Sequence, residues 1–258
     1  MRFETFGIVG YGHFGQFLAS SLARHGKVLA YDADDAKLDH PTEGVRPASL
    51  AEVAAADVVV LAVPFSALAG VLREIRDLLG RDTVVMDVVS TKERAGKLLE
   101  EILPAATNLL ATHPLFGPPS MARIEPGLRV VVTAERGQAA AAFRDFLEQD
   151  LGLEVVSLSP EEHDRAMAYM QSLPFFIARA LVSIDVLELK HRDDLAIPSF
   201  EKLAEIAFIE QQHTVDMFDT SQISNPYADE ARRHFLSALQ QLQAEIEAHR
   251  AGKPEPEA

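Results

Sequence analysis

The 258-residue sequence predicts an α/β protein, with a doubly wound, mostly parallel sheet over residues 1–157 followed by an all-helical domain over 158–251. Three observations carry this reading. Short β-branched runs alternate with longer helical patterns through the first half. A G-x-G-x-x-G segment joins the first of those runs to the first helix. After Val155-Val156 no strand pattern returns.

Taken in order, Phe6 to Val9 reads as a strand and Gln16 to His25 as a helix stopped by Gly26. Further strands follow at Val28 to Tyr31, Val58 to Val63, Thr83 to Val88, Leu109 to Thr112 and Arg129 to Thr133. Helical patterns such as Ala67 to Leu79 and Thr91 to Leu103 lie between them. Strand–helix–strand alternation implies parallel strands with crossover helices. Beyond residue 157, Ser159-Pro160-Glu161-Glu162 is a helix start, with Ser at the N-cap, Pro in the first turn and Glu three residues after the Ser. Met167, Met170, Leu173, Ile177, Leu181, Ile184 and Leu187 then recur at helical spacing, with a kink expected at Pro174. Phe200 to Phe218 and Ala228 to His249 read as two more helices, and residues 252–258 as a frayed, proline-interrupted tail.

Composition narrows the function. Acidic residues outnumber basic ones 39 to 24, for a formal charge of −15, which argues against a nucleic-acid binder. With no cysteine, disulfides, thiolate nucleophiles and zinc–cysteine sites are excluded, and no metal site is expected. No apolar run approaches the roughly 18 residues of a membrane span, and the start carries no signal-peptide pattern, so a cytoplasmic protein with no membrane partner is the expectation.

Gly10-Tyr11-Gly12-His13-Phe14-Gly15 follows a strand and opens a helix, which is the context in which this pattern binds a dinucleotide in a Rossmann-type domain. The first glycine permits the turn, the second lets backbone approach a pyrophosphate and the third lets helix and strand pack. The helix amino terminus, at His13 and Phe14, supplies amides for the phosphates. Asp32, 17 residues past Gly15, ends the second strand and is placed for the ribose hydroxyls. A carboxylate there repels a 2′-phosphate and no arginine follows nearby, so NAD is expected over NADP. Val63 and Pro64 end the next strand at the edge where such crevices are lined; Pro64 serves equally well as a strand terminator.

Two later segments can carry chemistry. In Met86-Asp87-Val88-Val89-Ser90-Thr91-Lys92-Glu93, Ser90 is either a ligand-facing hydroxyl or a helix N-cap, and its position leaves both open. Lys92 offers a point charge near the helix start. In Thr112-His113-Pro114-Leu115-Phe116-Gly117-Pro118, a histidine ends a strand ahead of a stiffened loop, where a base for alcohol oxidation belongs.

Together with Gly7 to Gly15, these segments and Glu162-His163-Asp164-Arg165 resemble the prephenate/arogenate dehydrogenase family of tyrosine biosynthesis in type and order. The resemblance implies NAD-dependent oxidative decarboxylation of arogenate, prephenate or both. It makes His113 the residue that accepts the ring-hydroxyl proton, and Ser90 the one that orients this histidine and the hydroxyl. Gln171-Ser172-Leu173-Pro174 departs from relatives that carry a histidine beside this proline, which favours arogenate or dual use, and Ser224-Asn225-Pro226-Tyr227 resembles the plant-type loop, which favours arogenate. Candidate substrate contacts are Lys92, His163, Gln171, Arg165 and Arg179, the two arginines lying 14 residues apart and so nearly on one helix face. The helical domain is expected to pair with a second copy. Competing readings are a 3-hydroxyacid dehydrogenase or imine reductase, which use a lysine in the helical domain, and a non-catalytic NAD-sensing module.

Overall fold

The structure is a computed structural model and describes residues 1–118, 124–188 and 195–251; the expected frayed tail at 252–258 lies outside them. Eight strands form one sheet: β1 (Thr5–Val9), β2 (Lys27–Tyr31), β3 (Val45–Pro47), β4 (Val58–Leu61), β5 (Val84–Asp87), β6 (Asn108–Pro114), β7 (Arg129–Arg136) and β8 (Glu154–Ser157). Their spatial order is β3-β2-β1-β4-β5-β6-β7-β8. All pairs are parallel except β6 with β7. The chain winds outward from β1 in one direction to β2 and β3, then returns to β4 on its other side. The sheet therefore switches direction at β1/β4 and opens a crevice beyond the carboxyl ends of those strands.

Burial on both faces explains the continuous apolar runs. Val58 and Val60 of β4 pack with Phe6 and Ile8 on one side of the sheet, while Val59 and Leu61 pack with Val9, Leu68 and Leu72 on the other. Helices α1 (His13–Leu22), α3 (Phe65–Ile75), α4 (Lys92–Ile102) and α5 (Gln138–Gln149) cover these faces. The short β3 and the five-residue α2 (Leu50–Ala54) carry too few residues for a periodic signal, and β3 ends in Pro47 at the sheet edge, where a missing amide is tolerated. Ser49 and Glu52 form a capping box at the start of α2.

After β8 every described regular element is helical: α6 (Pro160–Met167), α7 (Leu173–Ser183), α8 (Pro198–Glu210), α9 (Val215–Asp219) and α10 (Ala228–Ala251). Ser159 and Glu162 form the second capping box. The irregularity expected at Pro174 appears one turn earlier, as a π-helical turn over Ala168–Ser172. Proline lacks an amide and its ring crowds the preceding turn, and widening that turn accommodates both defects. The single helix expected over 200–218 is two, because Thr214 starts a new one: its hydroxyl accepts the amide of Met217 at 3.2 Å.

Among the described residues after Ser157, the buried apolar side chains are Met167, Ala168, Ala178, Ala204, Ala207, Ala228 and Ala231. Small residues let helices approach but bury little area, and larger ones lie outside. On α10, Leu236, Leu239, Leu242 and Ile246 are each about half exposed, at 45, 46, 53 and 51%.

Candidate active site

At the β1–α1 junction Gly10 has φ +95°, and a Cβ on it would meet the Ala62 carbonyl oxygen at 2.4 Å. A Cβ on Gly15 would lie 2.0 Å from the Gly10 carbonyl oxygen, so both positions require glycine. Gly12, the N-cap of α1, faces open space, and no side chain caps that helix. The first-turn amides of α1, beginning at the exposed His13 and the half-buried Phe14, are thus free to donate outward, and a pyrophosphate fits there. Ala62 and Val63 flank the loop and Pro64 begins α3 as its N-cap.

Asp32 follows β2 and is 7% exposed. Its Oδ2 accepts the Tyr11 amide at 2.7 Å, drawing the carboxylate against the glycine loop, and its Oδ1 accepts the Asp34 amide at 3.0 Å. Lys37, carried round by a 3-10 turn at Asp35–Leu38, reaches both oxygens at 3.1 and 3.2 Å. Burial raises the Asp32 pKa, but the amides of Asp34 and Tyr11 and the Lys37 ammonium outweigh it and hold the group below the ordinary carboxylate range. The positive charge beside Asp32 is thus a lysine five residues on, and not an arginine.

His113 ends β6, one strand beyond β5, and is 5% exposed. Its Nδ1 lies 2.9 Å from Nε2 of His163, which is fully buried on α6. Nδ1 of His163 lies 2.7 Å from Oδ1 of Asp164. Nε2 of His113 has no partner among the described residues, whose single fully buried unpaired side-chain polar atom is Oγ1 of Thr91; the nitrogen therefore keeps contact with solvent. Burial, and then the neighbouring His163 and Lys92, push the His113 pKa well below the ordinary histidine value, so the ring is neutral at neutral pH.

Several expected roles are corrected here. The Ser90 hydroxyl makes no hydrogen bond among the described residues, and Nδ1 of His113 meets His163 instead. Nor is Ser90 the N-cap of α4, a position held by Thr91 without a side-chain cap bond. The cap comes from 72 residues away, where Asp164 accepts the Lys92 amide at 2.8 Å on Oδ1 and the Glu93 amide at 3.0 Å on Oδ2. Lys92 is not a substrate contact. Its side chain is 0% exposed, and Nζ donates to Asp87 Oδ2 at 2.6 Å, the Thr112 carbonyl at 2.6 Å and the Val89 carbonyl at 3.2 Å. Three acceptors match three N–H donors, which selects the ammonium form despite the lowering of its pKa by burial.

The two arginines do not share a face toward a ligand. The π turn between them shifts the helical register, and each has its own carboxylate. Arg165 pairs with Glu161 at 2.9 Å and lies over the Tyr227 ring at 4.3 Å. Arg179 donates to the buried Glu210 at 2.8 Å and lies over the Phe218 ring at 4.3 Å, tying α7 to α8. Gln171 is half-buried and its side chain makes no hydrogen bond among the described residues. His163 belongs to the site, but through His113.

The junction between sheet and helices has two further members that sequence reasoning did not assign. Asn225 donates to the Asp164 carbonyl at 2.9 Å, and the Tyr227 hydroxyl donates to Glu93 at 2.6 Å, which raises the tyrosine pKa to about 12. The adjacency His163-Asp164 was the available signal, since two polar residues side by side on a buried helix face need partners.

A Rossmann-type sheet, a glycine-opened helix and a histidine at the sheet's carboxyl edge are the features of a dinucleotide-dependent dehydrogenase. Family models described as "Prephenate dehydrogenase, nucleotide-binding domain" and "Prephenate dehydrogenase, dimerization domain" match residues 18–133 and 159–253. The chain is 31% identical over 214 residues to 4-amino-4-deoxyprephenate dehydrogenase of Streptomyces pristinaespiralis, covering 78% of this chain and 68% of that one. It is 28% identical over 251 residues to the chloroplastic arogenate dehydrogenase 2 of Arabidopsis thaliana, covering 93% of this chain and 69% of that one. It spans only 39% of the length of arogenate dehydrogenase 1 of the same plant. The fold superposes on the crystal structure of prephenate dehydrogenase from A. aeolicus in complex with hydroxyphenyl propionate and NAD+, with a TM-score of 0.74 at 22% identity over 98% of this chain and 93% of that one. The chain belongs to the prephenate dehydrogenase family.

Proposed function

We propose that the chain catalyses the NAD-dependent oxidative decarboxylation of arogenate, prephenate or both, in tyrosine biosynthesis. The observation that carries this reading is His113, a neutral imidazole with an open Nε2 at the edge of the sheet that holds the glycine loop. NAD, when bound, supplies the hydride acceptor, and loss of carbon dioxide then restores ring aromaticity. Nε2 of His113 accepts the ring-hydroxyl proton as hydride leaves the carbon that bears it. Holding hydroxyl and acceptor in fixed alignment is the remaining task of the site, because aromatisation drives the step forward. The segment Gln171-Ser172-Leu173-Pro174, with no histidine beside the proline, favours arogenate or dual use, and the loop Ser224-Asn225-Pro226-Tyr227 favours arogenate.

The alternatives that depend on a helical-domain lysine are less well supported: Lys202, the lysine described there, is exposed and paired with Glu205 at 2.8 Å. The test is NADH formation measured with arogenate and prephenate side by side. Turnover with at least one, faster with arogenate, is expected; no turnover with either removes the reading.

NAD is proposed over NADP. Asp32 follows β2 and accepts the Tyr11 amide of the glycine loop, and a carboxylate there would repel a 2′-phosphate; both its oxygens engage Lys37. Replacing Asp32 with alanine removes the repulsion and frees the lysine. The ratio of kcat/KM for NAD over NADP is then expected to fall by about tenfold or more, the size of one charge-assisted hydrogen bond. An unchanged ratio moves the ribose contact elsewhere.

A homodimer through the helical segment is proposed as well. The half-exposed row on α10 and the alanine-rich interior leave apolar area that a second copy can cover. No helix among the described residues is long and apolar enough to cross a membrane.

A further inference from the structure

We infer that Asp164 and His163 are positioning residues that fix the tautomer of His113, so that the helical segment decides which ring nitrogen of the base is free. The inference rests on His113 being the base and on both imidazoles being neutral, and follows from a chain of donors and acceptors that then closes in one way. Both oxygens of Asp164 accept backbone amides, those of Lys92 and Glu93, so the carboxylate faces His163 as an acceptor. At 2.7 Å from Oδ1, Nδ1 of His163 must carry the proton. A neutral imidazole has one N–H, so Nε2 of His163 is an acceptor. At 2.9 Å from it, Nδ1 of His113 must therefore donate. What is left on His113 is a lone pair on Nε2, the nitrogen without a partner among the described residues.

Asp164, at the head of this chain, is tied by hydrogen bonds through both its carboxylate and its backbone carbonyl. Its oxygens are held by the first turn of α4 and its backbone carbonyl by Asn225, while Tyr227 reaches across to Glu93. His113 lies on β6, whereas His163 and Asp164 lie on α6, 50 residues further on. The base thus acquires its working tautomer only when α6 is docked on the sheet, and a proton accepted on Nε2 gives a cation whose Nδ1–H still points along the chain to a carboxylate. The opposite arrangement, with a doubly protonated His163 donating to Nδ1 of His113, places a proton on Nε2 and leaves no base.

Nitrogen-15 spectra of the imidazoles, assigned by comparison with His113→Asn, read the tautomer directly. At neutral pH the wild-type protein is expected to show both His113 and His163 protonated on Nδ1; a His113 protonated on Nε2 overturns the proposal. Turnover gives the second reading. His163→Leu is expected to lower kcat by about 10²-fold or more, within the range for removing a group that orients a base, with the KM for NAD unchanged. His163→Gln, whose side-chain oxygen still accepts from Nδ1 of His113, is expected to recover at least about tenfold of that loss. Wild-type kcat in the leucine variant, or no difference between the two variants, also overturns it. The spectrum needs neither substrate nor a second variant, so absence of turnover with arogenate and prephenate would sink the functional reading while the tautomer was still decided.

Discussion

Asparagine in place of His113 is expected to lower turnover by about 10²-fold or more, the size of a general-base effect, while NAD still binds with wild-type affinity. The two halves of this outcome belong together. The glycine loop, the amino terminus of α1 and Asp32 are built from β1, α1 and β2, whereas His113 ends β6, so its loss leaves the cofactor contacts intact. Stopped-flow or steady-state NADH formation, alongside fluorescence titration with NADH, separates the two. Near-normal turnover would remove His113 as the base. The wild-type pH profile supplies a second check. Because the folded-state pKa lies below the ordinary value of about 6.5, kcat/KM should stay level as pH falls through that value and decline only below it. The stability consequence has the same cause: below about pH 6.5 an unfolded His113 takes up a proton that the folded one refuses, so acid shifts the balance toward unfolding until the folded group also titrates.

Lys92→Met is expected to destabilise the fold by about 3–5 kcal/mol, the cost of leaving a buried charge without its partner. The methionine fills the same space, but Asp87, fully buried, would keep only the amides of Val89 and Thr112. That loss is a large share of the roughly 5–15 kcal/mol by which domains are stable. Urea unfolding of the variant and of the Asp87→Leu/Lys92→Met pair distinguishes two accounts of the ion pair. If its worth lies in mutual compensation, the double replacement recovers most of the stability. If it is the clip from β5 to the Thr112 carbonyl that matters, the double variant stays as unstable as the single one. A loss below about 1 kcal/mol in the single variant would mean that water reaches Asp87 and that the pair is not a buried one.

Much of this molecule was readable locally. Gly10 and Gly15 are glycines because backbone lies within about 2.4 Å of where their Cβ atoms would stand, and a glycine-rich turn between a strand and a helix leaves few other arrangements. Ser159 and Glu162 cap α6 through bonds three residues apart, and the disturbance around Pro174 follows from one missing amide. His113 ends a strand at the edge where the crevice opens, which the alternation of strands and helices implied.

What was misread has a common cause. Ser90 and His113 do end at the same edge, but the partner of an imidazole is settled by side chains within 3 Å, and His163 arrives there only when α6 docks. Lys92 looks like any lysine in the first turn of a helix. Its burial comes from the parallel register of β5 and β6, which sets Asp87 beside the Ala111–Thr112 backbone and closes acceptors around the ammonium. Lys37 reaches Asp32 because a 3-10 turn brings a residue five positions on back to it. Arg165 and Arg179 lost their shared face to an inserted π turn. Local sequence determined where strands end, where helices begin and where the glycine loop leaves helix amides open, since those outcomes depend on backbone geometry within a few residues. Which polar groups meet at His113 was decided by tertiary packing, because hydrogen-bond partners across 50 or more residues are selected by how helix and sheet dock and by the cost of leaving buried polar groups unpaired.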